Sequence, residues 1–153
     1  RDVARRALQV ADRHPELGLN REFLQEAAML HDIGITLVDA PGIHCHGTEP
    51  YIRHGLMGGK ILRQEGLPMH ARVAERHTGT GITREAIEKQ GLPLPPADYV
   101  PETLEEQVVC YADKFFSKSH PEHEKTFDEA LRSLWKFDPE CAATMERWRE
   151  QFD

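Results

Sequence analysis

Five side chains of the types that bind metal ions stand at intervals along the sequence: His31 and Asp32 together, then His54, His77 and Asp113. Imidazole and carboxylate groups are the ligands that suit zinc, iron and manganese. A carboxylate with flanking histidines can hold two metal ions about 3.5–4 Å apart for the hydrolysis of phosphate esters. The series therefore predicts a centre with one or two divalent transition metal ions, with iron, manganese and zinc as candidates.

Each of these residues, taken singly, also has a purely structural explanation. His31 would be a buried histidine bonded to a carbonyl group, and Asp32 would cap a helix end. His54 would be solvated, and Asp113 would be a partly exposed helical aspartate. His77 would be a cation favoured at a helix C-terminus. Because all of these explanations would have to hold together, the metal centre is the stronger hypothesis.

The segments that must position these residues repeat their apolar positions at the helical period, without sustained strand alternation. Capping signals occur at Asn20 and at Thr103 with Glu106. Helices are expected over residues 1–13, from Asn20 to about Gly34, from Thr48 or Glu49 to about Glu65, over 68–77 and 84–90, from Thr103 through Phe116, and over 124–135 and 139–152. We predict an all-α fold, a single compact helical domain of about seven or eight helices over residues 1–153.

The composition is typical of a globular domain, with 39% hydrophobic and 29% charged residues. Lys and Arg total 19 and Asp and Glu total 26, so the net charge is 19 − 26 = −7. This negative charge disfavours nucleic acid as a partner. It is compatible with a small phosphorylated substrate, because a bound metal ion reverses the local electrostatic field. Three cysteines without a CxxC pair favour the cytoplasm, and the lack of a long apolar run disfavours a membrane partner.

A second group of candidate ligands lies in the polar loop that precedes His54. His44 and His46 flank Cys45, and at this spacing the two histidines face the same way if the loop is extended. They would line the active site, contact substrate or form a third metal site, for which no fourth ligand is evident. The sequence leaves these roles open.

The segment His31-Asp32-Ile33-Gly34 resembles the signature of the HD superfamily of metal-dependent phosphohydrolases, in its HDIG variant. The resemblance spans about residues 1–120 and includes HGLMGG at 54–59, RHTGTG at 76–81 and ADK at 112–114. The nearest branch is the dimetal one, which includes HD-type diadenosine tetraphosphate hydrolases and, more distantly, HD-GYP cyclic-dinucleotide phosphodiesterases. The implied fold is the helical HD domain.

The resemblance also implies which residues hold the metals. In the dimetal branch the histidine–aspartate pair and the later aspartate bind one ion, and the aspartate of the pair bridges to a second. By this implication His31, Asp32 and Asp113 serve the first metal. Asp32, His54 and His77 serve the second, with Asp32 as the catalytic residue.

Two positions depart from the family's pattern. The family usually supplies a further histidine just upstream of the first residue of this chain, and the chain begins within a helix and without methionine. We therefore expect the natural protein to extend upstream, with this domain N-terminally incomplete. Many dimetal members also have a lysine where this chain has Ile35, so substrate contacts must come from elsewhere. Arg53, Arg76 and Lys114 are candidates for binding phosphate, since each adjoins an expected ligand.

The expected activity is hydrolysis of a phosphate monoester or phosphoanhydride of a nucleotide-like metabolite by metal-activated water. The partner would be a small phosphorylated molecule rather than nucleic acid or a membrane. Two alternatives stay open, a non-catalytic nucleotide- or metal-binding HD module and a diiron oxygenase. Trp135, Trp148 and Phe152 belong either to the core or to an interface, so a homo-oligomer is compatible with the sequence.

Overall fold

The computed structural model describes residues 1–41, 45–47 and 49–153. The described residues form helices α1 (Asp2–Arg13), α2 (Arg21–Leu30), α3 (His54–Gln64), α4 (Pro68–Glu75), α5 (Arg84–Gln90), α6 (Leu104–Asp113), α7 (Phe127–Phe137) and α8 (Pro139–Phe152). The predicted all-α fold is confirmed. Asn20 caps α2 as expected, since its side chain accepts a hydrogen bond from the Phe23 amide.

Two small sheets lie in the connections between helices. In the first, β1 (Val38–Ala40) pairs antiparallel with β2 (Cys45–His46) and parallel with β3 (Glu49–Pro50). In the second, β4 (Phe116–Ser117) and β5 (His120–Glu124) form an antiparallel hairpin. Such short strands show no clear alternation of apolar and polar residues, so the sequence did not reveal them.

The prediction of a helix from Thr48 or Glu49 was wrong, because α3 begins only at His54. Thr48 itself lies outside the described residues. Glu49–Pro50 form β3, and Pro50 has the extended dihedral angles φ −57° and ψ 145°. Proline suits both the first turn of a helix and an edge strand, so its presence does not distinguish the two. The later start places His54 at the very beginning of α3.

Two further boundaries were wrong around the β4–β5 hairpin. α6 ends at Asp113 rather than at Phe116, because Phe116 pairs with Glu124 across the hairpin. The same pairing removes Glu124 from the following helix. That helix begins after Thr126, whose side chain forms a capping box with Glu129.

The hydrophobic core lies between α1, α2, α6 and α8. Buried alanines at helical spacing along α1 let it approach α2 and α6 closely. Tyr111 of α6 is fully buried and packs its ring against Trp148 and Phe152 of α8. Trp148 and Phe152 are therefore core residues, whereas Trp135 on α7 is 56% exposed. Within the described residues, no helix combines the length and the apolar character needed to span a membrane.

A buried carboxylate ties the start of α6 to α4. Thr103 Oγ1 accepts a hydrogen bond from the Glu106 amide, and the Glu106 carboxylate accepts from two backbone amides, which completes the predicted capping box. Arg72 Nε, on α4, donates to the same carboxylate at 2.9 Å. This contact holds together the two helices that lead to Asp113 and His77.

Candidate metal centre

The five residues of the predicted metal centre all lie at the ends of helices. His31 is the C-cap residue of α2, and Asp32 follows it directly. His54 begins α3, His77 lies just after α4, and Asp113 is the last residue of α6. The structure brings these ends together, although His31 and Asp113 are 82 positions apart in the chain.

Backbone carbonyl groups at the same places orient the three histidine rings. Each ring places Nδ1 within hydrogen-bonding distance of the carbonyl oxygen three residues earlier: 2.6 Å to Ala28 for His31, 2.8 Å to Tyr51 for His54 and 2.7 Å to Ala74 for His77. The last carbonyl groups of α2 and α4 are available for this role, because they have no amide partner within their helix. A neutral ring that donates through Nδ1 presents the lone pair of Nε2 to a metal ion.

The Nε2 atoms of the three histidines lie around the carboxylate of Asp32. Oδ2 of Asp32 is 3.1 Å from His31 Nε2. Oδ1 is 3.2 Å from His77 Nε2 and 3.5 Å from His54 Nε2. Asp113 Oδ1 lies 3.0 Å from His31 Nε2. Two sets of candidate ligands have atoms within 4.8 Å of one another: His31, His77 and Asp113, and Asp32, His54 and His77.

The second of these sets has the membership that the resemblance implies for one metal, whereas the first contains His77 in place of Asp32. Nε2 of an imidazole has a single lone pair and binds one ion, but a carboxylate has two oxygen atoms. Since the two oxygens of Asp32 face different histidines, Asp32 is the residue suited to bridge two ions. The division of ligands between individual ions stays a prediction.

Two glycines allow the helices to approach closely enough for these distances. A Cβ atom on Gly34 would lie 2.3 Å from the His54 carbonyl oxygen. A Cβ atom on Gly55 would lie 2.5 Å from the carbonyl oxygen of Ala74, the same group that orients His77. Carbon atoms pack at about 3.5–4.0 Å, so any larger residue would push these segments apart. The glycines therefore set the spacing between the end of α2, α3 and α4.

The charges within the cluster stabilise a cation at its centre. Burial alone would lower the pKa of His31, but hydrogen bonds with Asp113 and Asp32 raise it to about 10. Burial, with the charge of a neighbouring histidine, lowers the pKa of His54 to about 4, so this ring is neutral at pH 7. Against the effect of burial, Lys114 and His31 hold the pKa of Asp113 well below its usual range. Without metal, the cluster thus combines two ionised carboxylates and a protonated His31 with a neutral His54. A metal ion bound at His31 would replace the proton on its Nε2.

Two features of the cluster fit a divalent metal ion. Oδ1 of Asp32 is buried and accepts no hydrogen bond from the described residues. Nε2 of His54 lies 2.9 Å from Nε2 of His77, and both atoms present lone pairs when each ring donates through Nδ1. A buried carboxylate oxygen and two opposed lone pairs are unfavourable unless a cation lies among them. This set of nitrogen and oxygen donors suits zinc, iron or manganese.

The three cations expected from the sequence to bind phosphate have other partners. Each pairs with a carboxylate: Arg53 with Glu49, Arg76 with Glu102 and Lys114 with Asp113. Lys114 Nζ also donates to the carbonyl oxygen of His77 at 2.7 Å, so its ammonium is held within the cluster. The two arginines are held by loops outside the cluster, which does not favour their proposed role.

Lys118, which belongs to no metal-ligand motif in the sequence, lies at the centre instead. Its Nζ is 2.8 Å from Asp32 Oδ2. The residue stands in the turn of the β4–β5 hairpin, and its only sequence signal is that this turn follows closely after Asp113. Beside it the cluster opens into a cavity of about 300 Å³, whose lining includes His54, His77, Asp113, Lys118 and Lys125.

The hypothesis about the second group of histidines is not tested. His44 lies outside the described residues. The backbone of His46 belongs to β2, where it pairs with Asp39 of β1. The active-site and metal-binding roles of this loop therefore stay predictions.

A family model described as HD domain matches residues 1–117. This segment contains α1 to α6 and all five residues of the cluster. No solved structure matches the chain significantly. The match therefore covers both the helices that form the site and the site itself.

The curated proteins that are similar to part of this chain include three relatives. A tRNA (cytidine(56)-2'-O)-methyltransferase of Picrophilus torridus is 38% identical over 112 residues, which are 72% of this chain and 28% of that protein. An uncharacterized protein of Methanocaldococcus jannaschii is 46% identical over 94 residues, 60% of this chain and 47% of that protein. A tRNA (cytidine(56)-2'-O)-methyltransferase of Thermoplasma volcanium is 42% identical over 91 residues, 59% of this chain and 23% of that protein.

The chain thus spans between about a quarter and about half of the length of these relatives. None of their names refers to diadenosine tetraphosphate hydrolases, so that narrower branch stays a prediction. The family match, in contrast, covers well over half of the chain. The chain belongs to the HD-domain family and has its metal-dependent phosphohydrolase fold.

Proposed function

We propose that this HD domain is a metal-dependent phosphohydrolase that cleaves a phosphate monoester or phosphoanhydride of a nucleotide-like metabolite. The observation that carries the proposal is the arrangement around Asp32, whose Oδ2 and Oδ1 lie 3.1 Å and 3.2 Å from Nε2 of His31 and His77, within a cluster of five residues that could hold metal. Divalent ions held there would supply Lewis acidity toward water and phosphoryl oxygens. In the net reaction the oxygen of water bonds to phosphorus, the bond from phosphorus to the leaving oxygen breaks, and a proton from the water ends on the leaving group or on the phosphate.

The residues of the chain support this chemistry by holding the site in one geometry. Carbonyl oxygens orient each imidazole so that Nε2 points into the cluster, which limits the reorganisation that binding requires. His31, His54 and His77 are at most 5% exposed. Charges interact more strongly in such a site, because water is excluded from it. Lys118 places a positive charge beside Asp32, which reduces the repulsion between this carboxylate and an incoming phosphate.

The names of two relatives favour one alternative, an HD module that serves an RNA-modifying protein without catalysis. Those names apply to whole proteins, of which the matched segments are 28% and 23%. Most of each relative lies outside the match, so its name does not identify the activity of the HD segment. A buried cluster of ionisable residues is costly unless it binds something, so the cluster argues against a purely structural module, and the turnover assay distinguishes a catalytic site from a binding site.

Hydrolysis of p-nitrophenyl phosphate by the full-length protein tests this proposal. We expect turnover in the presence of manganese, iron or zinc, and a decrease of at least about a hundredfold when a chelator removes the metal, because the activated water is lost. AMP and ATP, assayed by phosphate release, extend the test to a monoester and an anhydride. Full metal loading without turnover of any of the three would favour the binding module. Consumption of oxygen by the iron-loaded protein would favour the diiron oxygenase.

A further inference from the structure

We infer that the β4–β5 hairpin supplies the phosphate-binding side of the cavity, where the ammonium groups of Lys118 and Lys125 hold the terminal phosphate of a phosphomonoester beside the metal ligands. The inference rests on the proposed function, because it assigns substrate-binding residues to the same site. These two lysines lie outside the metal-ligand motifs. They enter the cavity from the hairpin that follows α6.

Lys118 is the first of the two anchors. Its side chain is 33% exposed, and Nζ contacts Asp32 Oδ2 at 2.8 Å. An ammonium group has three N–H donors, so this contact leaves donors available for a phosphate oxygen. Because Asp32 also faces three histidines, its negative charge is shared among several partners and does not neutralise Lys118 alone.

Lys125 is the second anchor, and it comes from the end of the hairpin. Its amide donates to the Phe115 carbonyl oxygen at 2.7 Å, which fixes its backbone directly behind α6. Its ammonium lies 3.4 Å from Ser133 Oγ on α7 and forms no ion pair with a described carboxylate. Ser133 donates its own proton to the Glu129 carbonyl oxygen and so offers Lys125 a lone pair. Lys125 and Ser133 line the same cavity as His54.

The balance of charge in the cavity indicates the kind of ligand. With the histidines neutral, as metal binding requires, Lys114, Lys118 and Lys125 carry three positive charges, against the two negative charges of Asp113 and Asp32. Each divalent ion would add two more positive charges, so the occupied site needs an anion. A terminal phosphate carries about 1.5–2 negative charges at pH 7, whereas a phosphodiester carries one. The charges therefore match a phosphomonoester better than a cyclic or linear diester.

The volume of the cavity agrees with a compact ligand. Ligand pockets usually measure ~300–1,000 Å³, and this one measures about 300 Å³. Such a space accommodates a phosphate group and a small part of its ester. The side chains of Tyr51 and Phe137, which are 44% and 52% exposed, lie at the wall of the cavity. These two rings would contact the organic part of the substrate where it extends outward from the bound phosphate group.

Inorganic phosphate is the probe that tests this inference. We would measure its dissociation constant by calorimetry, using metal-loaded full-length protein and the variants Lys118→Met and Lys125→Met. Loss of one charge-assisted hydrogen bond should weaken phosphate binding about tenfold or more in each variant. Lys60→Met is the matched control, because Lys60 is exposed on α3 and does not line the cavity. The control should change the constant less than twofold.

Lys125→Met is the decisive variant, since among the described residues Lys125 forms its side-chain hydrogen bond with Ser133 and none with the candidate metal ligands. Wild-type phosphate affinity in this variant, at an unchanged metal content, would overturn the inference and leave the proposed phosphohydrolase function intact. The opposite outcome would be weaker phosphate binding in the lysine variants, together with no hydrolysis of any phosphate ester by the wild-type protein. It would support the lysine anchors and overturn the proposed function.

Discussion

Replacing Asp32 with asparagine is expected to abolish metal-dependent hydrolysis, with a decrease of at least about a thousandfold in kcat/KM for p-nitrophenyl phosphate. Asp32 is the residue whose two oxygens face different histidines, at 3.1 Å from His31 and 3.2 Å from His77. Asparagine keeps the volume but removes the charge and one of the two acceptor oxygens. The variant should therefore lose at least one bound metal ion as well as activity.

A matched control for this variant is Asp39→Asn. Asp39 is exposed on β1, and it does not belong to either set of metal ligands. Its replacement should leave both metal content and kcat/KM within about a factor of two. If Asp32→Asn retained wild-type metal content and activity, the cluster described above would not be the catalytic centre.

The second large effect is expected at Gly34. A Cβ atom there would overlap the His54 carbonyl oxygen and the Gly58 amide nitrogen, at 2.3 and 2.4 Å, and both are backbone atoms that cannot rotate away. Gly34→Ala should therefore lower the free energy of unfolding by about 3 kcal/mol or more, at the upper end of the cost of overpacking. Urea denaturation would measure this loss. To relieve the overlap, the segment that contains Gly34 must move away from α3. This displacement should also weaken metal binding, because it carries Asp32 away from His54.

Gly66→Ala separates this steric effect from the general cost of replacing a glycine. Gly66 has φ +77° and no atom within 4 Å of the position of an added Cβ, so alanine there meets only backbone strain. That strain costs roughly 1–2 kcal/mol and should leave metal binding unchanged. Equal losses of stability in the two variants would contradict the close packing of Gly34 against α3.

The parts of the structure that the sequence predicts best are those with a local physical signal. Asn20 and the pair Thr103 and Glu106 cap helices because their side chains satisfy amides only two or three residues away. The five clustered residues could be proposed because their types and order suit a metal centre. The caps need only a few adjacent residues, whereas the metal centre was inferred from the types and order of residues spread over the chain.

The parts that could not be predicted depend on contacts between distant segments. Lys118 reaches Asp32 only because β4 and β5 turn the chain back over the end of α6, and nothing in the hairpin sequence specifies that direction. The orientation of the histidine rings depends on where each helix ends. The sequence predicts that α2 ends near Gly34, but this was wrong, because the helix ends at Leu30. The Ala28 carbonyl oxygen is therefore free to accept a hydrogen bond from the His31 ring. Boundaries of this kind are set by packing as well as by local propensity.

The number of metal ions per chain tests the central claim most directly. We would purify the full-length protein anaerobically without added metal and determine iron, manganese and zinc by mass spectrometry. The account predicts about two equivalents per chain, falling to one or fewer when His54 and His77 are both replaced by alanine, because these residues complete one ligand set with Asp32. A metal content that stays the same in the double variant, or no bound metal in the wild-type protein even after reconstitution, would contradict it.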